Sequence, residues 1–294
     1  MSSHKNYKAL TSRFQKPLIL LVVMFVLTLM NPGIFLTLGN FKSILLAISI
    51  YGVMGCGTIY PILLGGIDLA VGATAAMSGA CVVLTIVKMD YSFTGVILGI
   101  LFGLAAGVMA GIAHGAIVSN FNVPPFLITL ASQNIIYGIA QLLTGNQVIS
   151  CLEPAAFTFL GGGRLFGIPF SVCILVIVAL ISFWMLNRTI FGRQVYAVGG
   201  NKEASNLSGV SSKRITTVSY AISGFTAALA GIVLASMNQQ AIAKAAQGYE
   251  NDVLTAIVVG GTSLMGGEGS LQGAMFGALL VGMINNGLRL LGVP

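Results

Sequence analysis

Side chains able to do acid–base or nucleophilic work are scarce in the apolar runs of this chain, and they form no reactive set. Asp68 and His114 are the chief ionisable groups there. A carboxylate at membrane depth costs several kcal/mol unless it is paired or wetted, so Asp68 either braces the backbone around it or borders a polar pathway. Its place near a helix start is that of a cap, which favours bracing. His114 lies on a glycine-rich run and reads as a hydrogen-bonded packing residue rather than a proton relay. Ser223-Gly224, following Ala221, approaches a G-x-S-G nucleophile turn but lacks its first glycine, and neither an H-E-x-x-H pair nor paired catalytic aspartates occur. Cys56, Cys81, Cys151 and Cys173 show no C-x-x-C spacing, and three of them lie in apolar runs, so they read as packing residues. No G-x-x-x-x-G-K-[ST] loop is present to cradle nucleotide phosphates. No catalytic residues, metal or cofactor are expected, and the chain reads as a non-enzyme.

What remains is polar and uncharged: Ser132, Gln133, Asn134 and Tyr137 in one apolar run, Thr262 and Ser263 in another, and Asn285 and Asn286 near the end. Amides and hydroxyls can exchange hydrogen bonds with a neutral polyol, whereas an ionic solute would want countercharge. These residues, with Asp68, are the candidates for a substrate pathway. The competing role for each is hydrogen bonding between helices, which buried Asn and Gln provide routinely.

The elements that must carry them are membrane helices. Of 294 residues 56% are hydrophobic and only 7% are charged, more apolar surface than a soluble core of this size could bury. The net charge of +7 comes from basic residues in short segments flanking apolar runs, without Arg–aromatic interleaving, and so reads as topology charge rather than a nucleic-acid surface. Apolar stretches long enough to cross the hydrocarbon occur at about 17–38, 43–64, 69–87, 93–118, 126–143, 167–187, 215–236, 253–265 and 270–288. The expected fold is therefore all-α, a polytopic integral membrane bundle of about nine segments. Residues 1–16, with Lys5, Lys8, Arg13 and Lys16, form a cytoplasmic tail, and 17–294 form a single transmembrane domain.

Between the sixth and seventh stretches lies a polar island, residues 188–214, with Arg188, Arg193, Lys202, Lys213 and Arg214 against one acid, Glu203. The positive-inside rule puts it in the cytoplasm, and so does counting crossings from a cytoplasmic N-terminus. The segments around Lys88 and Asp90, from Gly145 to Gly167 and from Met237 to Asp252 then fall outside. Within the island Asn201 is a good helix start and Gly209 a good stop. A helix so short, bearing Ala204 and Leu207, needs something to dock against.

Two glycine patterns shape the bundle. Gly99, Gly103, Gly107, Gly111 and Gly115 recur every fourth residue, one ridge on which a neighbouring helix can approach until backbones touch. Gly65-Gly66-Ile67-Asp68-Leu69-Ala70-Val71-Gly72 and Gly260-Gly261-Thr262-Ser263-Leu264-Met265-Gly266-Gly267 both fit G-G-x-[DS]-L-x-x-G, as broken or re-entrant segments would.

At these residues the chain resembles the permease subunits of bacterial ABC importers for monosaccharides, the ribose-transporter class. The matching segments are GGIDLAVG at 65–72, TLAS at 129–132, NRTIFGRQVYAVGGNKEASNLSGV at 187–210, GYENDVLTAIVVGGTSLMGGEGS at 248–270 and NNGLRLLG at 285–292. The resemblance implies a bacterial cytoplasmic (inner) membrane location and partners: an ATPase subunit, a periplasmic or lipid-anchored sugar-binding protein and a second permease subunit, identical or homologous. It implies that Asn201–Gly209, including Glu203, Ala204, Ser205, Leu207 and Ser208, is the helix that couples to the ATPase. The family has ten spans, one more beyond the position of Pro294. Where the family has Leu this chain has Asn251, where Arg is frequent it has Glu268, and at a commonly basic position it has Tyr137. The alternative from the residues alone is an ion-coupled secondary transporter, which should hold more intramembrane ionisable groups than Asp68 and His114.

Overall fold

The computed structural model describes residues 17–121 and 123–292; the expected tail, 1–16, lies outside them. The chain runs through helices α1 (Pro17–Met30), α2 (Leu38–Leu63), α3 (Val71–Lys88), α4 (Phe93–Phe121) and α5 (Pro125–Thr144). A connection then carries β1 (Ile149–Ser150), α6 (Ala155–Gly162), β2 (Arg164–Leu165) and β3 (Ile168–Pro169). After it come α7 (Phe170–Arg188), α8 (Ile190–Gly200), α9 (Lys202–Leu207), α10 (Ser212–Asn238), β4 (Gln240–Ala241), α11 (Tyr249–Val259) and α12 (Leu271–Leu290). Side-chain caps begin several helices: Thr37, Thr189, Asn201, Ser211 and Ser270 each accept a backbone N–H three residues on, a donor the helix leaves unpaired.

Among the described residues seven helices, α2 to α5, α7, α10 and α12, are long and apolar enough to cross a membrane by themselves. Helix α1 is a shorter apolar helix. The stretch expected to span at 253–265 does not do so as a helix. Helix α11 has 11 residues and ends at Val259, where Gly260 and Gly261 (φ +95°) turn the chain. At 1.5 Å per residue it is about 16 Å long, half of a hydrocarbon core of about 30 Å. The other half of the passage is non-helical. Its first residues, Gln240 and Ala241, pair antiparallel with Ser150 and Ile149, one of two short ladders, the other being β2 with β3.

Helices α2, α3 and α10 form the centre: 78%, 72% and 72% of their apolar windows are buried, against 28%, 22% and 17% for α4, α5 and α7. The five glycines of α4 are all buried and face α3 and α10. A Cβ on Gly99 would lie 2.9 Å from the Val82 carbonyl, on Gly103 2.9 Å from that of Ser78, on Gly107 2.6 Å from that of Gly224, and on Gly115 2.6 Å from Thr217 Cα. The helices therefore meet backbone to backbone, gaining dispersion that no larger residue would allow. Helix α12 approaches α11 in the same way through Gly273 and Gly277.

The two glycine-pair segments sit together at one end of the bundle. Gly267 N–H donates to the Leu63 carbonyl at 2.8 Å, and a Cβ on Gly65 would touch the Met265 carbonyl at 3.2 Å. Both segments follow a helix running towards this end and precede one running away. Their local geometry matches as well. Asp68 accepts from Ala70 N–H (3.1 Å) and Ser263 from Met265 N–H (3.2 Å), the same two-residue side-chain turn at the same motif position.

Candidate functional site

Residues 188–214 form the polar face of that same end, and they fold as two short helices. Helix α8 is capped by Thr189 and tied down by Tyr196, whose hydroxyl donates to the Gly269 carbonyl at 3.0 Å; burial pushes this phenol above its ordinary range. Helix α9 starts at Asn201, whose side chain accepts from Ala204 N–H at 2.9 Å. Ser205 is buried, whereas Asn201, Glu203, Ala204, Ser208 and Gly209 are exposed and Leu207 is 91% exposed. A leucine held so far into solvent by a capped helix is an unpartnered apolar contact.

A second site lies along α5. Gln133, Tyr137 and Gln141 recur every fourth residue and so share one face. This face meets the start of α11, and together they shape a pocket of about 300 Å³ lined also by Asn134, Lys244, Gln247 and Glu250. Glu250 is 7% exposed. Its Oε1 accepts from Gln133 Nε2 (2.7 Å) and from Gly248 N–H (3.2 Å), while Oε2 is buried without a partner. The Tyr137 hydroxyl is buried beside the Gln133 amide without a well-formed hydrogen bond. Gly72 makes room for both, because a Cβ there would clash with Glu250 Oε2 and lie 3.2 Å from the Tyr137 hydroxyl. A further pocket of about 300 Å³ shares Gln141 and Lys244 and continues past Asn146 and Gln147. The two adjoin at Gln141 and Lys244 and make a track from the β1–β4 pair to the start of α11, polar along α5 and more apolar past Val148 and Ile242.

The other expected pathway residues stand apart from this track. Asp68 is 4% exposed, and besides Ala70 N–H its Oδ2 accepts from the Ser223 hydroxyl at 2.7 Å, so both oxygens brace backbone and α10. Ser132 is engaged with His114 Nε2 at 2.7 Å. Thr262 is buried against Gly269 and Ser263 closes its turn, both at the basic end. Asn285 lies within reach of Tyr51 on α2, and Asn286 Oδ1 is buried without a partner. The track thus assembles Gln133, Asn134 and Tyr137 with Gln141, Lys244, Gln247 and Glu250, which the linear reading does not single out. Residues 237–252, expected as an external loop, instead dip into the bundle. Gly248 (φ +93°) makes the turn that leads into α11.

Among the described residues no group of three or more His, Cys, Asp or Glu able to hold a metal occurs. Residues 40–294 match the family described as branched-chain amino acid transport system / permease component. The chain is 38% identical over 275 residues to the ribose import permease protein of Bacillus subtilis (strain 168), covering 93% of this chain and 84% of that one. It is 34% identical to the L-arabinose transport system permease protein of Escherichia coli (strain K12), over 94% of this chain and 83% of the relative. To the D-allose transport system permease protein of the same strain it is 33% identical, over 98% and 87%. No solved structure gives a significant match. A helical membrane bundle with a polar track along α5, and relatives of this similarity along nearly its whole length, place the chain in the branched-chain amino acid transport system / permease component family, as a multi-pass permease akin to the sugar-import permeases.

Proposed function

We propose that this chain is the membrane-spanning subunit of an ATP-driven importer that carries a monosaccharide or similar neutral polyol across the bacterial cytoplasmic membrane. The observation that carries the reading is the start of α11. A half-length helix opening at mid-bundle presents the positive end of its dipole to the pathway, a ready site for an anionic solute such as an amino-acid carboxylate. Here the first turn holds Glu250 and Asp252, and Glu250 takes the Gly248 N–H for itself. The protein's own carboxylates thus occupy the place of an anionic substrate. Lys244 offsets one of those charges, and the rest of the pocket is amide and phenol. A neutral solute rich in hydroxyls suits such a lining, and the ribose, arabinose and allose permeases named above support the sugar class.

In this reading the basic end faces the cytoplasm with the N-terminus, and α9 with Leu207 docks on a separate ATPase subunit. A periplasmic or lipid-anchored binding protein delivers solute to the β1–β4 end. A second permease subunit, facing the open side of α5, completes the pathway. Reconstitution of the permease with its ATPase and binding protein in liposomes tests it. Uptake of radiolabelled D-ribose, L-arabinose or D-allose should require internal ATP and persist when proton and sodium gradients are collapsed. Uptake that followed an ion gradient and ignored ATP would favour a secondary transporter instead.

A further inference from the structure

Resting on that import reading, we propose that Glu250, with Tyr137 and the amides of Gln133, Gln141 and Gln247, is a sugar-selecting site inside the permease itself. Selection then does not lie with the binding protein alone.

The argument starts from unused hydrogen-bonding capacity. An ionised carboxylate offers about four acceptor positions. Oε1 of Glu250 uses two, on Gln133 and Gly248, while Oε2 uses none although the residue is more than nine-tenths buried. Leaving such a group unmet is costly, and proteins normally satisfy it with a partner, water or ligand. The space Gly72 leaves open keeps Oε2 and the Tyr137 hydroxyl close to one another, and Glu250 also lines the pocket. The terminal torsion of a glutamate is soft and roughly two-fold, so as the carboxylate turns to meet a solute its two oxygens exchange places and acceptor positions stay free for the solute. Two acceptor positions beside a phenol that both donates and accepts fit two neighbouring hydroxyls of one sugar ring. Gln141 and Gln247 line the same pocket with amides able to serve the remaining hydroxyls. A pocket of about 300 Å³ is at the small end of ligand sites, the size class of a single monosaccharide rather than an oligomer. Lys244 and Glu250 line the same pocket, so its formal charges sum to zero and a neutral solute suits it.

A site built to bond a hydroxyl rejects an analogue lacking it, because its buried polar groups are then left unpaired. The complete transporter is therefore assayed in proteoliposomes with D-ribose and 2-deoxy-D-ribose, comparing wild type with Glu250→Gln, Gln141→Ala and Gln247→Ala. The same binding protein serves every sample, so a change in the ribose preference arises in the permease. We expect Glu250→Gln to lower ribose uptake at least about tenfold and to move the ribose-to-deoxyribose ratio towards one. Each amide variant should shift the ratio in the same direction. Gln247 is exposed, so its loss leaves the bundle intact and the test stands even if Glu250→Gln assembles poorly. Wild-type rate and ratio in Gln247→Ala and Gln141→Ala would overturn the site while leaving the import reading standing. Failure of the wild type to import D-ribose, L-arabinose and D-allose would overturn the import reading and this site with it.

Discussion

Replacing Gly107 with alanine should destabilise the bundle, whereas the same change at Gly138 should not. At Gly107 the new Cβ would stand 2.6 Å from the Gly224 carbonyl oxygen and closer still to Ala228 Cβ, both on α10. Non-bonded carbon contacts are optimal at about 3.5–4.0 Å, so α4 and α10 must part by roughly 1 Å. A gap of that size forfeits about a quarter to a half of each contact well along the seam. Overpacking of this kind costs about 1–3 kcal/mol. At Gly138, on α5, an added Cβ meets nothing within 4 Å, and removing a helix-interior glycine should stabilise by about 0.5–1 kcal/mol. A maleimide dye that reacts when Cys56 and Cys151, both 0% exposed, become accessible reports unfolding in detergent. At about 2–4 °C per kcal/mol, Gly107→Ala should lower the midpoint by roughly 2–12 °C and Gly138→Ala should raise it slightly. Equal midpoints for the two variants would refute the backbone-contact account of the α4–α10 seam.

Leu207→Asp should leave membrane insertion and thermal midpoint unchanged, since the side chain is 91% exposed, yet abolish co-purification of the ATPase subunit; a wild-type yield of complex would dismiss α9 as the docking element. Ser223→Ala removes the hydroxyl that donates to Asp68 Oδ2 and should cost about 1–3 kcal/mol, read as a lower midpoint in the same dye assay. A midpoint within error of wild type would show that the brace is idle. The thiol of Cys151 is pushed up to about 11 by burial, so its reactive thiolate is scarce near neutrality. Its alkylation in the folded protein should be slow at pH 7.5 and rise about tenfold per pH unit below that value, followed by mass spectrometry of the peptide; a rate flat between pH 7.5 and 9.5 would contradict it.

Reading the sequence alone reaches some of this architecture and misses other parts for identifiable reasons. Spacing by four is meaningful only on a helix, and the apolar run around Gly99–Gly115 is too long to be anything else, so its ridge is visible before any coordinates. Asp68 is likewise visible because an acid beside a glycine pair in apolar sequence needs local donors. Glu250 is hidden by a property no local window contains. Residues 240–241 pair with 149–150, some ninety positions earlier, and the chain that follows leads to the buried Glu250. The apolar run after it is long enough to be taken for a crossing, but Gly261 at φ +95° ends the helix half-way. Helix α8 escapes notice because the basic residues in and around it suggest a solvated connector, while Tyr196 and the buried Val195 and Val198 hold it to the bundle.

The meeting of three segments at the basic end carries a mechanical consequence. A Cβ on Gly199 would strike the Leu63 carbonyl and lie 2.7 Å from Gly267 N, and one on Gly267 would lie 3.0 Å from Gly200 Cα. With main chain against main chain there is no rotamer to swing aside and no slack to take up. Packed interfaces of this kind jump between arrangements rather than deform gradually. A tug on the end of α8 is handed on undiminished to α2 and to the loop below α11, or else the joint comes apart.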